Sequence, residues 1–151
     1  AGPGSDEYRE FLKNYVSKLN IEKQKKIIID KKVERSEVSS YFSQADLFVL
    51  PSHTENFGMV VIESIFYGCP VIISKNVDIF EELDHYKVAK AFDMDKIQLS
   101  YQIKKYIFDS ELKDYVLKNG KKVINKLYSW ESISKEIEIK VKNKLSEKEK
   151  L

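Results

Sequence analysis

Residues 47–63 constrain this chain more than any other stretch. Leu47-Phe48-Val49-Leu50 is an unbroken apolar run, the pattern of a strand buried on both faces in a parallel sheet. Pro51-Ser52-His53-Thr54-Glu55-Asn56 follows as a polar turn, and Phe57-Gly58-Met59-Val60-Val61-Ile62-Glu63 then opens an apolar segment that runs on to Gly68. Gly68, with Pro70 behind it, is a helix stop. The expected unit is strand, turn and helix, with Gly58 in the helix's first turn. The first N–H groups of such a helix have no carbonyl to bond, and the macrodipole adds positive potential there, so the turn is an anion site.

Two carboxylates bracket that site. Glu55 stands in the turn, and Glu63 lies about a turn and a half into the helix. Cβ bonds tilt toward a helix's start, so Glu63 shares the face of Met59 and Val60 and can approach the same ligand. A carboxylate repels phosphate but accepts paired hydrogen bonds, as from a sugar diol. A ligand with an anionic middle and hydroxylated ends, such as a nucleotide sugar, suits the arrangement.

The pattern of Glu55, Asn56-Phe57-Gly58 and Glu63 resembles the signature of glycosyltransferase family 4, a retaining GT-B family. The resemblance extends through Ala45-Asp46-Leu47-Phe48-Val49-Leu50-Pro51-Ser52 before it and Gly68-Cys69-Pro70-Val71-Ile72 after it. It runs along the whole chain in order, but residues 45–74 carry it.

The chain of 151 residues is long enough for one domain with a core. Its 26 basic and 24 acidic residues leave a net charge of +2, which gives no field for nucleic acid. Cys69 is the only cysteine, so no internal disulfide can form and a reducing compartment fits. Entering a strand between Gly68 and Pro70, it reads as a small core residue. His53 and His85 share no cysteine partners and no ligand spacing, so surface histidines are expected rather than a metal site. No apolar run reaches the length of a membrane span, and no signal peptide is visible. Heavy use of Lys, Ile, Asn and Tyr is associated with AT-rich bacterial genomes.

Along the chain, Tyr8, Phe11, Leu12, Tyr15, Val16 and Leu19 recur at helical spacing, predicting a helix over Asp6–Leu19 capped by Ser5 or Asp6 and ended by Asn20 or Lys23. Ile27-Ile28-Ile29 reads as a short buried strand, and Asp30–Glu34 as a charged loop. Ser36 is the expected N-cap of a helix carrying Val38, Tyr41, Phe42 and Ala45. After Val71-Ile72-Ile73, the next strand, Asp78–Leu83 reads as a short helix with Asp78 as cap and Glu81 completing a capping box. Val88–Phe92 is a candidate strand. Ile97, Tyr101, Ile103 and Ile107, then Leu112, Val116 and Leu117, mark two amphipathic helices, the second continuing past Gly120 to Lys126. Ile133, Ile137, Ile139, Val141 and Leu145 stripe a final helix, with residues 146–151 expected to fray. Alternation of helix and strand over short connections predicts a Rossmann-like parallel α/β sheet, with ligands at the carboxyl ends of its strands.

The resemblance implies the C-terminal, donor-binding half of a GT-B fold. Residues 1–129 would form a nucleotide-sugar-binding domain incomplete at its start, and residues 130–151, entered through Tyr128-Ser129-Trp130-Glu131, a helix packing back toward an N-terminal domain. Ala1-Gly2-Pro3-Gly4-Ser5 is compatible with a cloning scar, but also resembles a strand end and Gly-Pro turn of this family, the reading favoured here. In a sheet of order 3-2-1-4-5-6, residues 27–29, 47–50 and 71–73 would be the third, fourth and fifth strands. No ladder is then expected between 27–29 and 47–50.

Carried over residue by residue, the resemblance makes Glu55 the catalytic residue, a carboxylate near the donor sugar that contacts its hydroxyls and stabilises positive charge at the anomeric carbon, and Glu63 the acceptor of ribose hydroxyls. Asn56, Phe57, Gly58, Met59 and Val60 complete the substrate-binding set, largely through backbone N–H groups, with Phe57's ring as a packing anchor. Val33 stands where the family often contacts the base, while Lys31, Lys32 and Arg35 read as a solvated face. Lys75-Asn76-Val77 replaces the family's usual glycine-rich turn, and no glycine stands in 88–92. The implied activity is transfer of a hexose from a nucleotide diphosphate sugar to a sugar or lipid-linked acceptor, without metal or other cofactor. The implied setting is bacterial cell-surface polysaccharide synthesis in the cytoplasm, with the full-length protein able to sit at the inner face of the membrane. The phosphate-neutralising cations and the acceptor face would lie upstream, leaving this piece inactive by itself. A non-catalytic glycosyltransferase-like subunit and an unrelated nucleotide-binding module are the alternatives.

Overall fold

The computed structural model describes residues 5–30 and 33–148 and divides the chain into two compact units, Ala1–Val38 and Ser39–Leu151. In the first, Ser5 caps helix α1 (Asp6–Ser17) by accepting the Tyr8 N–H at 3.2 Å. Asn20, expected to end that helix, instead starts another: its side chain accepts the Lys23 N–H at 2.9 Å and caps α2 (Ile21–Gln24). Gln24 closes the corner, donating from Nε2 to the carbonyls of Ser17 and Leu19.

The buried strand expected at Ile27-Ile28-Ile29 is not there. Those residues are irregular, and Ile28 is 82% exposed. Three apolar residues make a strand only when a neighbour satisfies their N–H and C=O groups, and the first unit contains no other strand among its described residues. Lys31, Lys32 and residues 1–4 lie outside the described residues. Ser36 falls in a turn where the Glu37 N–H reaches the Glu34 carbonyl at 2.9 Å, so helix α3 (Val38–Gln44) starts later than expected and Ser36 is not its N-cap.

The sheet lies in the second unit. Strands β1 (Phe48–Leu50), β2 (Val71–Ser74) and β3 (Ala89–Phe92) are all parallel, in the order β1-β2-β3. Phe48 sits opposite Val71, and Val71 opposite Ala89. Central β2 is buried at every residue, whereas β1 is half-buried throughout rather than covered on both faces. An edge strand has a neighbour on one side only, and the apolar run alone does not reveal which place a strand takes in the sheet.

Helix α4 (Met59–Phe66) connects β1 to β2, and α5 (Phe80–His85) connects β2 to β3. The helix α5 starts two residues after the expected Asp78, and no side chain caps it. The Asp78 N–H is instead bonded to the Glu55 carbonyl at 3.1 Å, which holds it in the preceding loop. Asp95 and Asp109 cap α6 (Lys96–Tyr106) and α7 (Ser110–Tyr128). The last helix, α8 (Trp130–Lys148), continues past the expected fraying point, supported by Glu131–Lys135, Glu136–Lys140 and Glu138–Lys142 pairs one turn apart; residues 149–151 lie outside the described residues. No helix among the described residues is long and apolar enough to cross a membrane.

The core gathers Val61 and Ile65 of α4, Val71 and Ile73 of β2, Leu83 of α5, and Val116 and Ile124 of α7. Gly120 lets α7 approach α4 closely: a Cβ there would stand 2.5 Å from the Ile65 carbonyl oxygen. Cys69 is buried, and burial pushes its thiol above the ordinary value. This packing fixes the position at which α4 begins, beside the carboxyl ends of β1 and β2.

Candidate functional site

After Leu50 the chain crosses residues 51–58 before α4 begins, and this turn is fastened to the loop that follows β2. Ser74 Oγ donates to the Ser52 carbonyl at 2.5 Å, and Asn76 Nδ2 donates to the His53 carbonyl at 3.0 Å. Glu55 forms a parallel bridge with Val77, through Glu55 N–H to Asn76 O at 3.4 Å and Asp78 N–H to Glu55 O at 3.1 Å. Lys75-Asn76-Val77, the segment that departs from a glycine-rich turn, therefore acts as the fastener. Asparagine suits this because its amide can donate within an irregular loop.

Gly58 is not in the first turn of α4 but caps it from outside, with φ 63° and ψ 55°. L-residues with a side chain avoid this left-handed conformation. It folds the turn back so that the Gly58 N–H donates to Glu55 Oε1 at 3.1 Å. Val61 N–H reaches the Gly58 carbonyl at 2.8 Å. The N–H groups of Phe57, Met59 and Val60 have no acceptor among the described residues. Of the backbone donors expected to face a ligand, Gly58's is thus taken by Glu55.

Glu63 lies one turn further along α4. It is half-buried; its backbone carbonyl accepts the Tyr67 N–H at 3.1 Å, and no hydrogen bond or ion pair engages its carboxylate among the described residues. The Asn56 and Met59 side chains are exposed. Glu55, Asn56, Phe57, Gly58, Met59, Val60 and Glu63 therefore form one turn and the helix it opens. Val33 and Arg35 belong to the first unit. His53 and His85 are both exposed. On the neighbouring loop the Lys75 ammonium pairs with Asp93 at 2.9 Å, and this bond holds the Asp93 carboxyl below the usual carboxylate range.

The Phe57 ring meets the Tyr128 ring edge-on, with centroids 5.3 Å apart and planes at 85°. Tyr128, the last residue of α7, donates its hydroxyl to Glu82 Oε2 of α5 at 2.5 Å. Burial, and then the bond to Glu82, push the Tyr128 hydroxyl above its ordinary value. The sequence places the loop from Ser74 to Asp78 at the same sheet edge as Glu55 and Glu63, but nothing in it connects Tyr128 or Glu82 with this turn. Only the Tyr128-Ser129-Trp130 run stood out, as a helix entry.

A helix N-terminus with open N–H groups, flanked by two carboxylates, stands at the carboxyl edge of a parallel sheet with flanking helices, the architecture of a Rossmann-like domain. The chain belongs to the family described as glycosyl transferases group 1, whose profile matches residues 1–123. An uncharacterized glycosyltransferase of Methanocaldococcus jannaschii is 25% identical over 134 residues, covering 88% of this chain and 34% of the relative. The O-antigen biosynthesis glycosyltransferase WclY of Escherichia coli is 51% identical over 47 residues, covering 31% of this chain and 13% of the relative. The C-terminal domain of a group 1 glycosyl transferase, LpcC, from Francisella tularensis superposes with a TM-score of 0.66 at 24% identity, over 83% of this chain and 64% of that one. The fold is that of a GT-B C-terminal domain. The chain spans about a third of the length of the first of these curated relatives.

Proposed function

We propose that this chain is the donor-binding part of a retaining glycosyltransferase of family 4, which moves a hexose from a nucleotide diphosphate sugar to a sugar or lipid-linked acceptor. The observation that carries the reading is the set of open N–H groups at Phe57, Met59 and Val60, flanked by the Glu55 and Glu63 carboxylates. The diphosphate would accept from those N–H groups. As the glycosidic bond breaks, negative charge builds on the diphosphate, and fixed donors stabilise it without reorganising. Glu63, whose carboxylate has no partner among the described residues, would accept the ribose hydroxyls. Glu55 would keep Oε1 on the Gly58 N–H and turn Oε2 toward the donor sugar, where its charge favours the positive character growing at the anomeric carbon. Asn56 would reach the sugar from the same turn.

None of these steps is assigned to a metal or other cofactor. Residues 1–129 would form the nucleotide-sugar-binding domain and residues 130–151 the helix packing toward an acceptor-binding domain. The name of the O-antigen relative supports a glycan acceptor in bacterial cell-surface polysaccharide synthesis. A place in the cytoplasm, at the inner face of the membrane, belongs to the same proposal. Without an acceptor face the 151-residue chain is expected to bind donor but not to transfer sugar, because both reactants must be positioned together.

Calorimetric titration of this chain with uridine and guanosine diphosphates, then with their glucose, galactose, N-acetylglucosamine and mannose conjugates, tests the reading. Saturable binding of one base, tightened by one sugar, is the expected result. Failure of every nucleotide to bind overturns it. Binding that ignores the sugar favours a plain nucleotide-binding module, and donor binding without turnover by a longer protein favours a non-catalytic subunit.

A further inference from the structure

The contact between Phe57 and Tyr128 joins the site's turn to a part of the chain far away in sequence. Phe57 lies between the bridged Glu55 and the left-handed Gly58 and is 39% exposed. Tyr128 is its aromatic partner, at 5.3 Å, and is itself held by the hydroxyl bond to Glu82. Glu82 belongs to α5, which starts just after the Val77–Asp78 segment that pairs with Glu55. The contacts thus close a circuit: Phe57, Tyr128, Glu82, the start of α5, Val77 and Asp78, then back to Glu55 and Gly58. The turn is fastened on one flank by backbone bonds and on the other by this aromatic pair.

We propose that Tyr128 is a positioning residue which, through the ring of Phe57, holds residues 55–58 in the conformation that bonds Gly58 to Glu55 and leaves the neighbouring N–H groups open. Its bearing on ligand binding rests on the donor-binding reading above; its effect on the turn does not. An edge-to-face pair adds to what area burial contributes, enough to shift a local opening equilibrium severalfold without unfolding the sheet. Tyr128→Phe keeps the ring and loses the Glu82 bond, Tyr128→Leu loses the aromatic edge, and Phe57→Leu removes the other partner.

The test is amide hydrogen exchange by NMR on the whole chain, comparing Gly58 with Ile72 and Ile73 of β2. Tyr128→Leu and Phe57→Leu are each expected to speed Gly58 exchange about fivefold while the β2 amides stay as in the unsubstituted chain. Tyr128→Phe should recover most of the loss, and the double Leu variant should be little faster than either single one. Unchanged Gly58 exchange in Tyr128→Leu overturns the proposal, as does equal acceleration at Ile72 and Ile73, which would mark general destabilisation. Titration with uridine and guanosine diphosphates runs beside it, with about threefold weaker binding expected in Tyr128→Leu. If the unsubstituted chain binds neither, the donor-binding reading falls, while the exchange data still decide the role of Tyr128.

Discussion

Glu55 Oε1 accepts the Gly58 N–H at 3.1 Å, so the carboxylate nearest the proposed sugar position also shapes the turn that presents it. The bond depends on Gly58 adopting φ 63°. Space is not the obstacle to a side chain there, since an added Cβ would meet Glu55 Cγ, Val61 Cγ2 and Val77 Cγ1 each at 3.4 Å, an ordinary contact. The backbone conformation is.

Gly58→Ala should therefore destabilise the fold by about 1–2 kcal/mol, the left-handed penalty for a residue with a Cβ. If the turn relaxes to escape that cost, the bond to Glu55 is lost and nucleoside diphosphate binding weakens as well. Urea unfolding and calorimetric titration measure the two effects. An alanine variant as stable as the parent would mean that the turn has another low-energy conformation.

Glu63→Gln separates recognition from folding. Glu63 is half-buried and its carboxylate has no partner among the described residues, so removing its charge should leave the melting temperature nearly unchanged. Nucleoside diphosphate binding, through the ribose hydroxyls, should weaken by about 1.5–3 kcal/mol, the worth of a hydrogen bond to a charged group. If stability falls while affinity holds, Glu63 is a structural acid.

The strand, turn and helix that carry the candidate residues are more legible in the sequence than the scaffold around them. The apolar run before Pro51, the Gly68-Cys69-Pro70 stop and the spacing of Glu55 and Glu63 mark β1, the turn and α4, because each is a local pattern with a local cause. Ile27-Ile28-Ile29 misled because a strand depends on its neighbours, and hydrophobicity does not say whether one is beside it. The sequence pattern puts Gly58 inside the helix's first turn rather than at its cap, since a left-handed cap and a first-turn glycine look alike in sequence. The Ser74, Asn76 and Tyr128 contacts are long-range, and no periodicity encodes them. Asn76 carried the nearest thing to a signal, standing where a glycine-rich turn was expected and so requiring another way to hold the loop.

Tyr128 should give the protein a component of alkaline sensitivity. Its hydroxyl is raised above the ordinary value by burial first and the Glu82 bond second, so the folded chain keeps that proton after the unfolded chain begins to release it. Stability from this group is fully present below about pH 10, the ordinary tyrosine value. It is lost as pH rises from there toward the raised folded value, because the unfolded state then binds fewer protons. Urea midpoints for the parent and Tyr128→Phe across pH 8 to about 11 should converge as pH rises. A constant difference would mean that Tyr128 does not titrate differently on folding.

Gly120→Ala tests the helix contact beneath the site. In isolation the change favours a helix by about 1 kcal/mol. Here the added Cβ would stand 2.5 Å from the Ile65 carbonyl oxygen and 3.0 Å from Ile65 Cγ2. The nearest atom is backbone and cannot rotate away, so α7 must draw back from α4 and loosen the packing of Val116 and Ile124. Overpacking of this kind costs about 1–3 kcal/mol, which outweighs the propensity gain. A lower melting temperature is expected, with a larger loss for Gly120→Val. A raised melting temperature in Gly120→Ala would show that α4 and α7 can separate at little cost, and that Gly120 does not set the distance between them.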